Sequence, residues 1–261
     1  MPTVVVDSIN CPKCGAPLKP NLGEIIVVCE YCSSAILLSA NSKYVLRHSL
    51  IPAGVNEEEI RQRIAAWMKG GFYKPDDLAK KAKLEKLECT YLPFFVFEVY
   101  AKMTFTGVLK RTGEPAERKG AIEKTMLWKV LGRRESRFPT MEYKIPLAGK
   151  VQFSIGAMVK GSSFLNAEMD EQMAAELAKG QIHSHMLQLT ESSVDEVKEE
   201  KVEYLFKNTE FVHAPIWRAL YEYKGSFYKM YLDGATGDTI RSEVPPPDTS
   251  LTGLVKSVVD A

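Results

Sequence analysis

From Tyr91 to Phe105 the chain reads Tyr-Leu-Pro-Phe-Phe-Val-Phe-Glu-Val-Tyr-Ala-Lys-Met-Thr-Phe, with the apolar side chains on every second position in its later part. Phe95, Phe97, Val99, Ala101, Met103 and Phe105 alternate with a face that carries Glu98, Lys102 and Thr104. Successive side chains of a strand point to opposite faces, so this period predicts a strand buried on one side. Upstream, Tyr44–Ile51 reads as a strand ended by Pro52. A helix is expected next: Ile60, Ile64 and Trp67 recur at helical spacing, Asn56 and Glu59 form a capping box, and Gly70-Gly71 stops it. A second, basic helix is expected over Asp76–Leu87.

The same order returns downstream. His185–Leu189 reads as a short strand, and Ser192 or Ser193 caps a helix to about Lys207 with Val197, Val202 and Leu205 as its apolar positions. His213–Tyr223 repeats the pattern of a proline followed by alternating apolar and aromatic residues. These correspondences predict two related β-α-β-β halves, 43–160 and 161–244, although any two strand–helix–strand units share this much. Lys224-Gly225-Ser226 turns the chain into Phe227–Leu232, and Asp233-Gly234 with Thr236-Gly237-Asp238 turns it again into Thr239–Val244. Pro245-Pro246-Pro247 opens a linker and tail, 245–261. Its Leu251, Leu254, Val255, Val258 and Val259 read either as a frayed terminus or as a helix for a partner or a membrane surface.

Cysteine spacing brings in the first chemistry. Cys11-Pro-Lys-Cys14 and Cys29-Glu-Tyr-Cys32 make a C-x2-C-x14-C-x2-C pattern, one residue short of the usual zinc spacing. Two intervening residues let one tight turn aim both sulfurs at a single ion. Gly15 supplies the positive φ such a turn needs, while the second turn has Ser33 in that place. Gly23–Val28 and Ala35–Leu38 then read as strands of a zinc ribbon, residues 1–42. Four thiolates leave no open coordination position, so the predicted ion is one structural Zn2+; iron takes the same ligands. Disulfides need an oxidising compartment, and a redox C-x-x-C stands singly at a helix start. Cys89 stands alone among apolar residues as a buried small hydrophobe.

Composition changes this picture little. The chain has 261 residues, 45% apolar and 26% charged with a net charge of +1, the profile of a folded globular protein with no overall pull toward nucleic acid. No stretch approaches the roughly 20 apolar residues of a spanning helix, and no basic segment followed by an apolar run opens the chain. A cytoplasmic protein without a transmembrane segment is expected.

Charge is unevenly distributed. Residues 102–160 hold thirteen Lys/Arg against five Glu, net +8, and residues 161–210 hold eleven Asp/Glu against four Lys, net −7. The two segments pair within the fold, or the basic one meets an acidic partner, or it binds phosphate. Arg111, Arg118, Lys119, Arg133 and Arg134 are the candidate contacts for a partner or for nucleic acid. No catalytic set is legible. Gly156–Ser163 has Ser162 where a phosphate-binding loop needs Lys, and His183 with His185 lacks a third metal ligand.

Cys11–Gly15 with Cys29–Cys32 resembles the zinc ribbon of the transcription-initiation-factor-B type. Ala66–Pro75, Tyr91–Phe97, Ala214–Tyr221 and Asp233–Gly237 are similar to stretches of a prokaryotic family of zinc-ribbon-containing proteins. That resemblance implies zinc and little chemistry. The expectation is therefore an α+β protein: a small N-terminal ribbon on a larger antiparallel-sheet domain with several helices. Its expected role is that of a non-catalytic, zinc-stabilised adaptor for a protein partner, or alternatively a nucleic-acid-binding accessory protein.

Overall fold

The computed structural model describes residues 9–38, 43–71, 73–111, 113, 115–134 and 138–247. The tail predicted beyond 247 lies outside these residues. In chain order the ribbon contains β1 (Ile9–Asn10), β2 (Pro17–Leu18), β3 (Ile26–Val28) and β4 (Ala35–Leu38), and β5 (Lys43–Leu46) pairs with β4, so the ribbon sheet runs past residue 42 and takes the first part of the strand read over Tyr44–Ile51. Then follow β6 (His48–Leu50), α1 (Glu57–Met68), α2 (Leu78–Lys81), β7 (Lys83–Leu109), β8 (Ala116–Leu131), β9 (Val151–Gln152) and β10 (Ser163–Phe164). The chain continues through α3 (Glu171–Thr190), β11 (Glu196–Tyr223), β12 (Ser226–Asp233) and β13 (Thr239–Ser242). The fold is α+β, with a small N-terminal sheet region and a larger sheet domain.

β7 and β11 form the spine. They pair antiparallel along almost their whole length, with Leu92 opposite Ala214. β8 folds back on β7, and β12 folds back on β11 through the predicted turn at Lys224-Gly225. Alternation then decides the faces: Phe95, Phe97, Val99, Ala101 and Met103 are all buried on the side covered by α1 and α3. On the other side Phe94, Val96, Val212 and Ala214 form a second core beneath Phe138 and Tyr143.

Main-chain hydrogen bonds recur in pairs about the Leu92–Ala214 centre. Ile51 N–H donates to His213 C=O (2.9 Å) as Leu165 N–H does to Tyr91 C=O (3.0 Å). Gly234 N–H donates to Pro215 C=O (2.8 Å) as Gly132 N–H does to Pro93 C=O (2.8 Å). The helices follow suit. Asn56 and Asp170 cap them by accepting from Glu59 N–H and Met173 N–H, and at the same offsets from these caps α1 buries Ile60, Ile64 and Met68 where α3 buries Ala174, Ala178 and Ile182.

Three sequence expectations are corrected. The helix read from Ser192 or Ser193 to Lys207 is the first half of β11, and the helix of that unit is α3, which also absorbs the strand read over His185–Leu189. Lys- and Glu-rich sequence favours a helix locally, but pairing with β7 puts Val202, Tyr204 and Phe206 against the core at period two. The basic helix expected over Asp76–Leu87 is only the single turn α2, because β7 begins at Lys83.

Candidate metal centre

Two matching turns build the site. Cys11 N–H donates to Ala16 C=O (2.8 Å) and Gly15 N–H to Cys11 C=O (2.9 Å); Cys29 N–H donates to Ser34 C=O (2.9 Å) and Ser33 N–H to Cys29 C=O (2.8 Å). Both turns close on a left-handed residue, Gly15 at φ 77° and Ser33 at φ 59°. Glycine takes that conformation freely and serine at a cost. Ser33 has a second duty: its Oγ accepts from Ile155 N–H (3.2 Å), tying the turn to the larger domain.

The turns bring the four sulfurs within 4.8 Å of one another. Cys11 and Cys32 sulfurs are 3.7 Å apart, as are those of Cys14 and Cys29. A tetrahedral ion with Zn–S bonds near 2.3 Å sets its ligands about 3.8 Å apart, whereas a disulfide holds its sulfurs at about 2.05 Å. The cluster has the dimensions of a four-coordinate metal site. The Ala16 amide favours the Cys14 thiolate, but burial and the three neighbouring sulfurs push that thiol up to about 12. Burial works against the Cys32 thiolate, yet hydrogen bonds from the Ser34 side chain and backbone bring it down to about 6. Sulfurs this crowded share negative charge only around a cation, and an all-thiolate tetrahedron suits Zn2+. With four protein ligands the ion would hold the turns together and offer substrate no position.

The ribbon is fastened to the larger domain. Ile25 and Ile26 N–H groups donate to Ala167 C=O (2.8 and 3.1 Å), and Ala167 N–H donates back to Ile26 C=O (3.1 Å). Asn166 accepts from Val28 N–H at its Oδ1 (2.9 Å) and donates through Nδ2 to Glu24 (2.9 Å). Arg133 closes the joint: it donates to Asn166 C=O (2.8 Å), pairs with Glu168 and lies 3.9 Å from Glu24. The Glu24 side chain is 5% exposed. Burial pushes its carboxyl up, but Asn21, Asn166 and Arg133 together hold it below the ordinary carboxylate range. Ile26, Val28 and Ala35 of the ribbon belong to the main core.

The five basic candidates do not form one surface. Arg111 pairs with Asp195 and donates to Glu191 C=O. Arg118 and Lys119 lie beside it on β8, opposite Gly107 and Thr106, and make no ion pair with a described residue. Arg133 and Arg134 follow the far end of β8, about 40 Å away along an extended strand. Lys110–Glu196 and Lys150–Glu210 pairs add to the neutralisation of the basic segment by the acidic one.

His183 and His185 sit on α3, where residues two apart point in nearly opposite directions and cannot share one ion. His183 Nε2 lies 3.0 Å from Glu200 and His185 packs against the Trp128 ring. Cys89 is buried, and burial alone pushes its thiol up to about 12. Sequence reasoning missed Glu24, Asn166 and the tie of Ser33 to Ile155, which act across a sequence distance that no local pattern bridges. Among the described residues no helix is long and apolar enough to cross a membrane. Comparison with known protein families, curated proteins and solved structures finds no match.

Proposed function

We propose that the protein is a non-catalytic adaptor in which one structural Zn2+, held by Cys11, Cys14, Cys29 and Cys32, keeps a contact surface rigid. One observation carries the reading: the ribbon, fastened to the body, holds the apolar side chains of Leu22 and Tyr31 in water, Leu22 fully exposed and Tyr31 72% exposed. A large apolar side chain on a metal-fixed loop gains by covering, and a protein partner supplies the cover. The pairing of Arg111 and Arg133 within the fold weighs against the nucleic-acid alternative. We also read 43–160 and 161–244 as duplicated halves, on the strength of the recurring hydrogen bonds.

The test is affinity capture with the full chain, with and without nuclease and at low and moderate salt. The adaptor reading expects partners that survive both treatments and are lost with Leu22→Ser/Tyr31→Ser, a variant that retains its metal. Recovery abolished by nuclease would transfer the function to nucleic acid, whose phosphate contacts weaken steeply with salt.

A further inference from the structure

On the sheet face away from the helices the two halves differ. Around Phe94 and Val212 the face is sealed by the segment 138–152. Phe138 and Tyr143 pack on Phe94 with ring centroids 5.9 and 5.5 Å apart, and Lys150 Nζ lies 2.8 Å from Glu210. Glu88 precedes Pro93 by the same number of residues as Glu210 precedes Pro215, so it occupies the corresponding place in the other half.

There the face is open. A hollow of about 510 Å³ lies over Leu92, Ile216 and Tyr231, with Phe138 at one wall. Its rim is cationic. Glu88 is already engaged by Lys86 (2.7 Å) and Arg218 (2.9 Å), and Lys229 makes no ion pair with a described residue.

We propose that this hollow is a docking groove for an acidic peptide segment of a partner protein, one that lays an apolar or aromatic side chain on Leu92, Ile216 and Tyr231 and sets a carboxylate at Lys229. The proposal rests on the adaptor reading and names its partner's chemistry. Two features choose the occupant. Where the face is sealed, polypeptide seals it, with aromatic side chains on the floor and a charged one at the rim. In the sealed half that charge is a cation meeting the free acid Glu210; in the open half the acid is doubly paired and a cation is left over, so the complement is anionic. The volume falls within the usual range for pockets that take a few side chains or a small ligand.

The test is a methyl NMR titration of the zinc-loaded full chain with acetyl-Phe-Asp-Leu-Glu-amide and with its neutral isostere acetyl-Phe-Asn-Leu-Gln-amide. Saturable shifts are expected at the Leu92, Leu165 and Ile216 methyls, with the acidic peptide binding about fivefold more tightly, as one half-buried charge pair allows. Lys229→Met should remove that preference. The proposal is overturned if neither peptide saturates these methyls or if both bind alike. It is equally overturned if phenylacetate alone reproduces the affinity, which would make the groove a small-carboxylate site. Failure of the capture experiment would remove the adaptor reading without altering this titration.

Discussion

His48 Nε2 lies 2.6 Å from His213 Nδ1, inside a box formed by Phe153, Phe164 and Phe211 where β6 joins β11. The protons follow from the partners. His213 Nε2 is 2.8 Å from Leu165 C=O, which only accepts, so that nitrogen carries a proton and Nδ1 is a lone pair. His48 Nε2 therefore donates, and its Nδ1 is a buried lone pair with no hydrogen-bond partner among the described residues. Both rings are neutral. Burial, with the His213 ring beside it, drives His48 well below its ordinary value, and burial brings His213 down to about 4.

A pH dependence follows. In the unfolded chain these rings titrate near 6.5, so between that value and about 4 the unfolded state binds more protons. The stability from the neutral pair is complete above pH 6.5 and is lost as pH falls, by about 1.4 kcal/mol per pH unit for His213 down to about 4, with buried His48 acting in the same direction. Urea unfolding of the wild type and His48→Phe at pH 7.5, 6 and 5 reads this directly. The variant should be less stable at pH 7.5, by about 1–3 kcal/mol for the orphaned His213 nitrogen, and its stability should fall less on acidification. Both proteins keep the cysteine cluster, so acid loss of metal cancels in the comparison. Equal slopes would contradict the assignment.

Arg133 joins the ribbon to the larger domain through Asn166, Glu168 and Glu24. Arg133→Met should destabilise the protein by about 2 kcal/mol, because Glu24 and Glu168 are left without their shared cation. The Ala167 amide should then exchange faster with solvent. Arg118→Gln, by contrast, removes a charge that pairs with nothing described and should change stability by less than about 0.5 kcal/mol. A stability effect of the same size in both variants would refute the joint.

Ser33→Gly separates two opposed effects. Relief of the left-handed backbone favours the variant by roughly 1 kcal/mol, and loss of the hydrogen bond from Ile155 N–H costs a similar amount. Global stability should move little and metal affinity should hold, while exchange at the Ile155 amide accelerates. If Ile155 stays protected, the tie between that turn and the body is not what keeps serine there.

The parts of this fold legible in sequence are those whose cause is local. The four cysteines, the Asn56–Glu59 capping box, the alternation from Phe95 to Phe105 and the turn at Lys224-Gly225 each state their structure within a few residues. α3 escaped notice because its core positions include the small Ala174 and Ala178, while Met173 and Leu177 face outward and weaken the apolar stripe. The first half of β11 reads as helix because its exposed face is Lys and Glu, and only the β7 partner reveals the alternation. The joint at Arg133, Asn166 and Glu24 spans most of the chain, as does the His48–His213 pair. Neither leaves a sequence signature.

On the proposed reading, a metal held by the four cysteines makes the ribbon and the larger domain one mechanical unit. The four cysteine sulfurs lie within 4.8 Å of one another, and the ribbon's Ile26 and Val28 lie in the main core. Amide hydrogen exchange on the metal-loaded and the metal-stripped full chain, with metal content measured on the same samples, tests this most directly. One zinc per chain is expected, and stripping should cost protection at Ile26–Val28 and Ala35–Leu38 and, across the joint, at Ala167. Stripped protein in which the ribbon opens while Ala167 keeps its protection would show an independent module, and a chain that carries no metal would contradict the site itself.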